Sequence, residues 1–290
     1  SGNINLQTTP DLSLARLDEV LDLLNASVDG RYLFGGSTTD RKPVEDTATV
    51  LDGIMGRDGF RTVVGQRKMA DAGSDGIGRL DISATTDTVR LEEDGNHPFG
   101  FKLSTLSTSS ANITLTQPAS IPPGSPPALE VQFAPLPLPV AGERVTIGLT
   151  LPDGTEETIV LTAGTGGNSA TSFQIGGNAD TTATNFSISL RAALEDLGGT
   201  ALAAASAFTA ADNFFNEQGV PVLRVDGPPF DTATGLVAAT SADTVLWYKG
   251  ETQGIRAADL GRLDLTTTAP TTTLAEAAPV AAGYGFRIDG

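Results

Sequence analysis

Residues Leu14 to Pro43 read LARLDEVLDLLNASVDGRYLFGGSTTDRKP, and the reading of this stretch decides the fold. Leu14, Leu17, Leu21, Leu24 and Val28 step by three, four, three and four residues, the spacing of helices that pack along a common seam. Arg16, Asp18, Glu19, Asp22 and Asn25 lie between them and give the helix a solvated outer face. Thr9-Pro10-Asp11 supplies a capping hydroxyl, a proline where a free N–H would be idle and an acid against the helix dipole. The helix is therefore expected from about Pro10 to Ser27, with Asp29-Gly30 stopping it. Arg31-Tyr32-Leu33-Phe34 then has the aromatic and apolar content of a strand, and Gly35 to Asp40 reads as the turn after it.

The rest of the chain divides by texture. A second helix is expected from about Asp58 to Ala72, closed by Gly73 and packed against the first. Leu80 to Ser83, Thr88 to Leu91, Phe99 to Leu103 and Leu129 to Phe133 read as strands, and Gln117 to Pro139 as a Pro-rich surface loop. The clearest hairpin joins Val145–Leu151 to Glu156–Thr162 through Pro152-Asp153-Gly154. Phe173 to Ile175 is a short strand; a helix follows from Thr181 with Phe186, Leu190, Leu194 and Leu197 on one face, ending at Gly198-Gly199. Ala201 to Phe215 is a further, Ala-rich helix. The fold class is α+β. Residues 78–216 form an inserted, mostly antiparallel β domain with a covering helix, and residues 1–77 and 217–290 form a helical, rod-like core domain from both chain ends.

Composition narrows the function. Across 290 residues, 35 acidic side chains against 18 basic ones leave a formal charge of −17, which disfavours nucleic acid and anionic membrane surfaces. No apolar run approaches the length of a bilayer span, so a soluble chain is expected. The absence of cysteine excludes disulfides, thiolate metal sites and Cys nucleophiles, and suits a chain exported unfolded. A lone His97 cannot build a multi-histidine metal site, and a Ser-His-Asp triad would have to use it in an apparent turn before Pro98. The carboxylates Asp18, Glu19 and Asp22, and Glu92-Glu93-Asp94, read as solvated acidic faces in an acidic chain. The paired glycines 35–36, 166–167 and 176–177 lack a phosphate-binding pattern and read as turns. Asn25-Ala26-Ser27 fits the glycosylation acceptor pattern at the helix end. No catalytic, cofactor or metal residue is assigned, and the chain is not expected to be an enzyme.

Leu23 to Asp40, LLNASVDGRYLFGGSTTD, resembles the stretch of bacterial flagellins, and of the related hook–filament junction proteins, where a long helix ends and the chain turns into a strand. Val280 to Ile288, VAAGYGFRI, looks like the strand leading into that family's C-terminal helix, and DGPPFDTATGLV (226–237) and VLWYKGE (245–251) resemble its returning core in an alphaproteobacterial subgroup. The resemblance implies a helical rod built from both ends, with the family's terminal helices outside these residues. It implies a secreted, extracellular structural subunit of the flagellum, assembling with its own kind or with other flagellar subunits for motility, with no cofactor. Leu14, Leu17, Leu21, Leu24, Val28, Arg31, Tyr32 and Phe34 would carry core and subunit packing. The 290-residue chain by itself is expected to be monomeric. The alternative is a cell-surface homologue or adhesin binding polysaccharide or a host receptor through residues 78–216.

Overall fold

A computed structural model describes residues 8–36, 38–120, 123–216 and 221–249. Helix α1 (Thr8–Leu24) is followed by the two-residue strands β1 (Ser27–Val28) and β2 (Arg31–Tyr32), then by helices α2 (Thr47–Asp52) and α3 (Phe60–Ala72). Strands β3 (Leu80–Thr85), β4 (Thr88–Glu93), β5 (Lys102–Thr108), β6 (Ile113–Ser120), β7 (Pro127–Phe133), β8 (Arg144–Thr150), β9 (Glu156–Gly164) and β10 (Ser172–Gln174) come next. Helices α4 (Ala179–Leu197) and α5 (Ala203–Phe214) precede β11 (Leu223–Val225) and β12 (Leu236–Ala238). The fold is α+β with mostly antiparallel sheets; the pairing of β9 with β10 is parallel.

The chain forms two compact units. Described residues of the first fall within Ser1–Gly59 and Ser241–Gly290, and the second takes Phe60–Asn216 with Pro221–Thr240. The sequence boundaries at 78 and 216 sit inside this second range. Helix α3 finds its partners there: it lies against α5 and β11, with Phe60 5.4 Å from Phe214 and 5.1 Å from Phe215 between ring centres.

Within the second unit two four-stranded sheets, ordered β3-β4-β7-β6 and β10-β9-β8-β5, share one core with α4. Their inward residues alternate as the strand period demands: Val89 and Leu91 on β4, Val145, Ile147 and Leu149 on β8, Ile159 and Leu161 on β9. Phe133 from one sheet, Phe173 from the other and Phe186 from α4 meet edge to face, with ring centres 5.2–5.9 Å apart. Aromatic edges and faces carry opposite partial charge, so this contact adds to the area buried.

Several elements depart from the sequence reading. The strand expected over Phe99 to Leu103 starts only at Lys102 and runs to Thr108 as β5. Strand β6 runs through Gln117-Pro118, read above as the start of the loop. Its register against β7 shifts between Thr116 and Ala119, a bulge that lets proline sit without a ladder N–H. Gly198-Gly199 does not end α4; the chain passes through a π-helical turn (Gly198–Leu202) straight into α5. A Cβ at Gly198 would collide with the carbonyl of Gly76, so glycine there serves close backbone approach rather than chain reversal. Helix α2 stands where Val50 to Gly53 suggests only a further strand or loop, because its six residues are too short for a periodic signal. Asp46 makes it: its Oδ1 accepts from Thr49 N at 2.9 Å. The expectations for Ala257 to Leu263 and Val280 to Ile288 lie outside the described residues.

Candidate functional site

The stretch that resembles the flagellar family belongs to the first unit. Its helix stops at Leu24 rather than Ser27: the amide of Ala26 reaches back three residues to Leu23 O (3.0 Å) and the chain enters a hairpin. Asp29 and Gly30, both at positive φ (50° and 75°), are the two-residue turn of that hairpin, pairing Ser27 with Tyr32 and Val28 with Arg31. Asp-Gly favours such a turn because its twist matches that of the flanking strands, and here this outweighs its use as a helix stop. The strand expected over Arg31 to Phe34 shortens to Arg31–Tyr32. The amide of Tyr32 donates to Thr39 O (2.8 Å) and that of Leu33 to Ala26 O (2.9 Å), folding the Gly-rich turn back on the helix end.

Only one seam residue is fully enclosed. Leu21 is 2% exposed; Leu17 and Leu24 are half-buried, and Leu14 (43%) and Val28 (58%) face outward. Tyr32 is half-buried, and Arg31, Leu33 and Phe34 are exposed. Buried Val44, Val50, Leu51 and Val245 make up the interior of this unit with Leu21. Asp18 Oδ1 accepts from Thr47 Oγ1 (2.5 Å), fastening α1 to the start of α2. Asn25 Oδ1 accepts from Val44 N (3.3 Å), and Tyr248 Oη donates to Phe34 O (3.1 Å).

Helix α1 also carries a second apolar stripe that the seam reading passed over. Leu12, Val20 and Leu23 are each more than half exposed. At 100° per residue they share an arc of about 80°, centred about 120° around the helix from the Leu14, Leu17, Leu21 and Leu24 seam. The signal was present in the sequence, but a face defined by its intervening charges, Arg16 and Glu19, read as wet. Ile54 and the turn residue Met55 add two more outward apolar side chains to the same unit.

The second unit contains the one histidine. His97 Nε2 lies 2.6 Å from Asp94 Oδ1, and its Nδ1 accepts from Phe99 N at 3.2 Å, so both ring nitrogens are committed. Arg79, at positive φ (63°), sends Nε to Asp94 Oδ2 (2.5 Å) and Nη1 to Ala70 O (3.2 Å) and Ala233 O (2.8 Å). Arg67 pairs with Asp71 (2.7 Å) and lies over Phe99, while Asp71 Oδ1 accepts from Gly100 N (2.9 Å). Among the described residues no group of three His, Cys, Asp or Glu is placed to hold a metal ion, and no helix is long and apolar enough to cross a membrane.

Comparison with known proteins finds no matching family model, no similar curated protein and no similar solved structure.

Proposed function

We infer that the chain is a structural subunit of the bacterial flagellum, a flagellin-like filament protein or the related hook–filament junction protein, secreted and acting by self-assembly. The observation that carries this reading is α1. It bears a second apolar stripe beside its seam, encloses only Leu21 among its described side chains, and leads into the RYLFGG hairpin that resembles the family. An exposed apolar stripe on a charged helix marks a surface that becomes buried on association. In this reading the Leu14–Leu24 seam joins the helical rod formed with the other chain end, Leu12, Val20 and Leu23 meet neighbouring subunits, and the sheets of the second unit face solvent.

The chain lacks cysteine, so a single Leu23→Cys subunit gives an unambiguous cross-link. Produced as the full-length protein in motile cells and mildly oxidised, Leu23→Cys should give disulfide-linked dimers in the secreted filament fraction, one thiol per subunit allowing a single bond each. The triple change Leu12→Ser, Val20→Ser, Leu23→Ser should abolish assembly while leaving the secreted monomer folded by circular dichroism. Subunits that assemble normally with all three serines, and that never cross-link through position 23, would overturn the reading.

A further inference from the structure

We propose that His97 is an acid-sensitive latch, which holds the 94–100 turn against α3 and the β11–β12 hairpin only while its ring is neutral. The proposal stands on the ring's surroundings. The side chain is 1% exposed. A backbone N–H can only donate, so the bond from Phe99 N requires a bare Nδ1 and places the proton on Nε2, facing Asp94. A second proton has one place to go, Nδ1, where it would confront the Phe99 N–H. The ring can then stay charged only by leaving its pocket.

What the turn holds is considerable. Phe99 is fully buried with Ala70 of α3, Val225 of β11 and Ala233 of the following loop. Pro98 O accepts from Arg67 Nη2 (3.4 Å), and the Asp94 carboxylate that receives His97 also anchors Arg79, the residue bonded to both Ala70 O and Ala233 O. Opening the turn therefore releases Phe99 and loosens α3 and the hairpin together, while the sheets, whose core lies elsewhere, keep their packing.

The neighbouring charges act in both directions. Burial is the largest influence and disfavours the imidazolium; Arg79 and Lys102 add to it, and Asp94 opposes it. Lys102 is itself paired with Glu93 (3.0 Å), and Arg67 with Asp71. The net effect holds the ring below its ordinary value of 6.5. Below pH 6.5 the opened chain then binds more protons than the closed one, so closure weakens as pH falls from 6.5 to the depressed folded value and is unaffected above 6.5. Asp81, raised chiefly by burial and then by Asp94, has the opposite sign: it favours the closed form as pH falls. Its titration cannot imitate the latch.

Because the chain has one histidine, proton NMR reads its ring without ambiguity. In the wild-type 290-residue chain the imidazole should titrate below 6.5. Over the same range the hydrogen-exchange protection factors of the Phe99 and Gly100 amides should fall by up to about tenfold per pH unit, while that of Val131 stays constant. In His97→Gln the fall should disappear between about pH 5 and 7, where no other unperturbed side chain titrates. A midpoint at or above 6.5, flat protection at Phe99 in the wild type, or an unchanged slope in His97→Gln would each overturn the latch. The wild-type measurements decide the matter even if the variant does not fold.

Discussion

The two compact units treat apolar surface in opposite ways. The second encloses its large side chains between two sheets and α4, and seals the remainder with the Arg79 and Asp71 networks. Among the described residues it leaves eight large apolar side chains exposed. The first has about a third as many described residues and exposes nine: Leu12, Leu14, Val20, Leu23, Val28, Leu33, Phe34, Ile54 and Met55. A small unit buries a smaller share of its surface than a large one, which accounts for part of the contrast. The concentration of these side chains on α1 and the hairpin after it accounts for the rest, and it is where an assembly partner would gain most.

The contrast can be broken or sharpened by substitution. The largest effect should come from Phe186→Ala, which empties the meeting point of three elements and should cost about 3–5 kcal/mol in urea unfolding. A loss below about 1 kcal/mol would mean that the two sheets do not share a core. Next, Leu21→Ala should cost about 2–5 kcal/mol, as for other enclosed leucines. Its seam neighbour Leu14→Ala should stay within about 0.5 kcal/mol in the isolated chain. Equal losses at the two positions would show that the seam is closed along its whole length and that the first unit is not the open one. The smallest effect belongs to the α2 cap. Asp46→Ala should lower stability by about 1 kcal/mol. The Thr49 N–H bond holds the Asp46 carboxyl below its usual range. The cap's contribution is thus present above the unfolded value and is lost as pH falls through the lower folded one. Urea midpoints measured from about pH 7 down to 3 should converge between wild type and variant.

Local signals carried the long, periodic elements. The seam leucines predicted α1 to within a turn, alternation predicted β4 and the hairpin of β8 and β9, and the spacing of Phe186, Leu190 and Leu194 predicted α4. Each of these elements meets one dominant environment, so its pattern survives folding. Residues that serve two masters were misread. Asp29-Gly30 could stop a helix or turn a hairpin, and the bonds of Tyr32 N to Thr39 O and of Leu33 N to Ala26 O accompany the hairpin. Gly198-Gly199 could end a helix or admit a neighbouring strand of backbone, and contact with Gly76 chose the latter.

The candidate surface was half legible. Leu14, Leu17, Leu21, Leu24 and Val28 were visible as a stripe, but spacing says only that side chains share a face and is silent on whether that face is covered. Leu12, Val20 and Leu23 escaped because charges interrupt them. His97 was visible only as a solitary histidine; its two hydrogen bonds join Asp94 and Phe99 through a turn whose shape no propensity encodes.

By itself, then, the sequence determined the longer periodic helices and strands, the absence of cysteine chemistry and the strongly acidic charge. These follow from covalent composition and from the 3.6- and 2-residue periods of the backbone. Tertiary structure alone decided that the second unit closes on itself while α1 stays open along two stripes, and that Arg79, Asp94 and His97 form one network. Burial and hydrogen bonding between residues distant in the chain depend on how elements pack, and packing is a property of the whole fold rather than of any stretch.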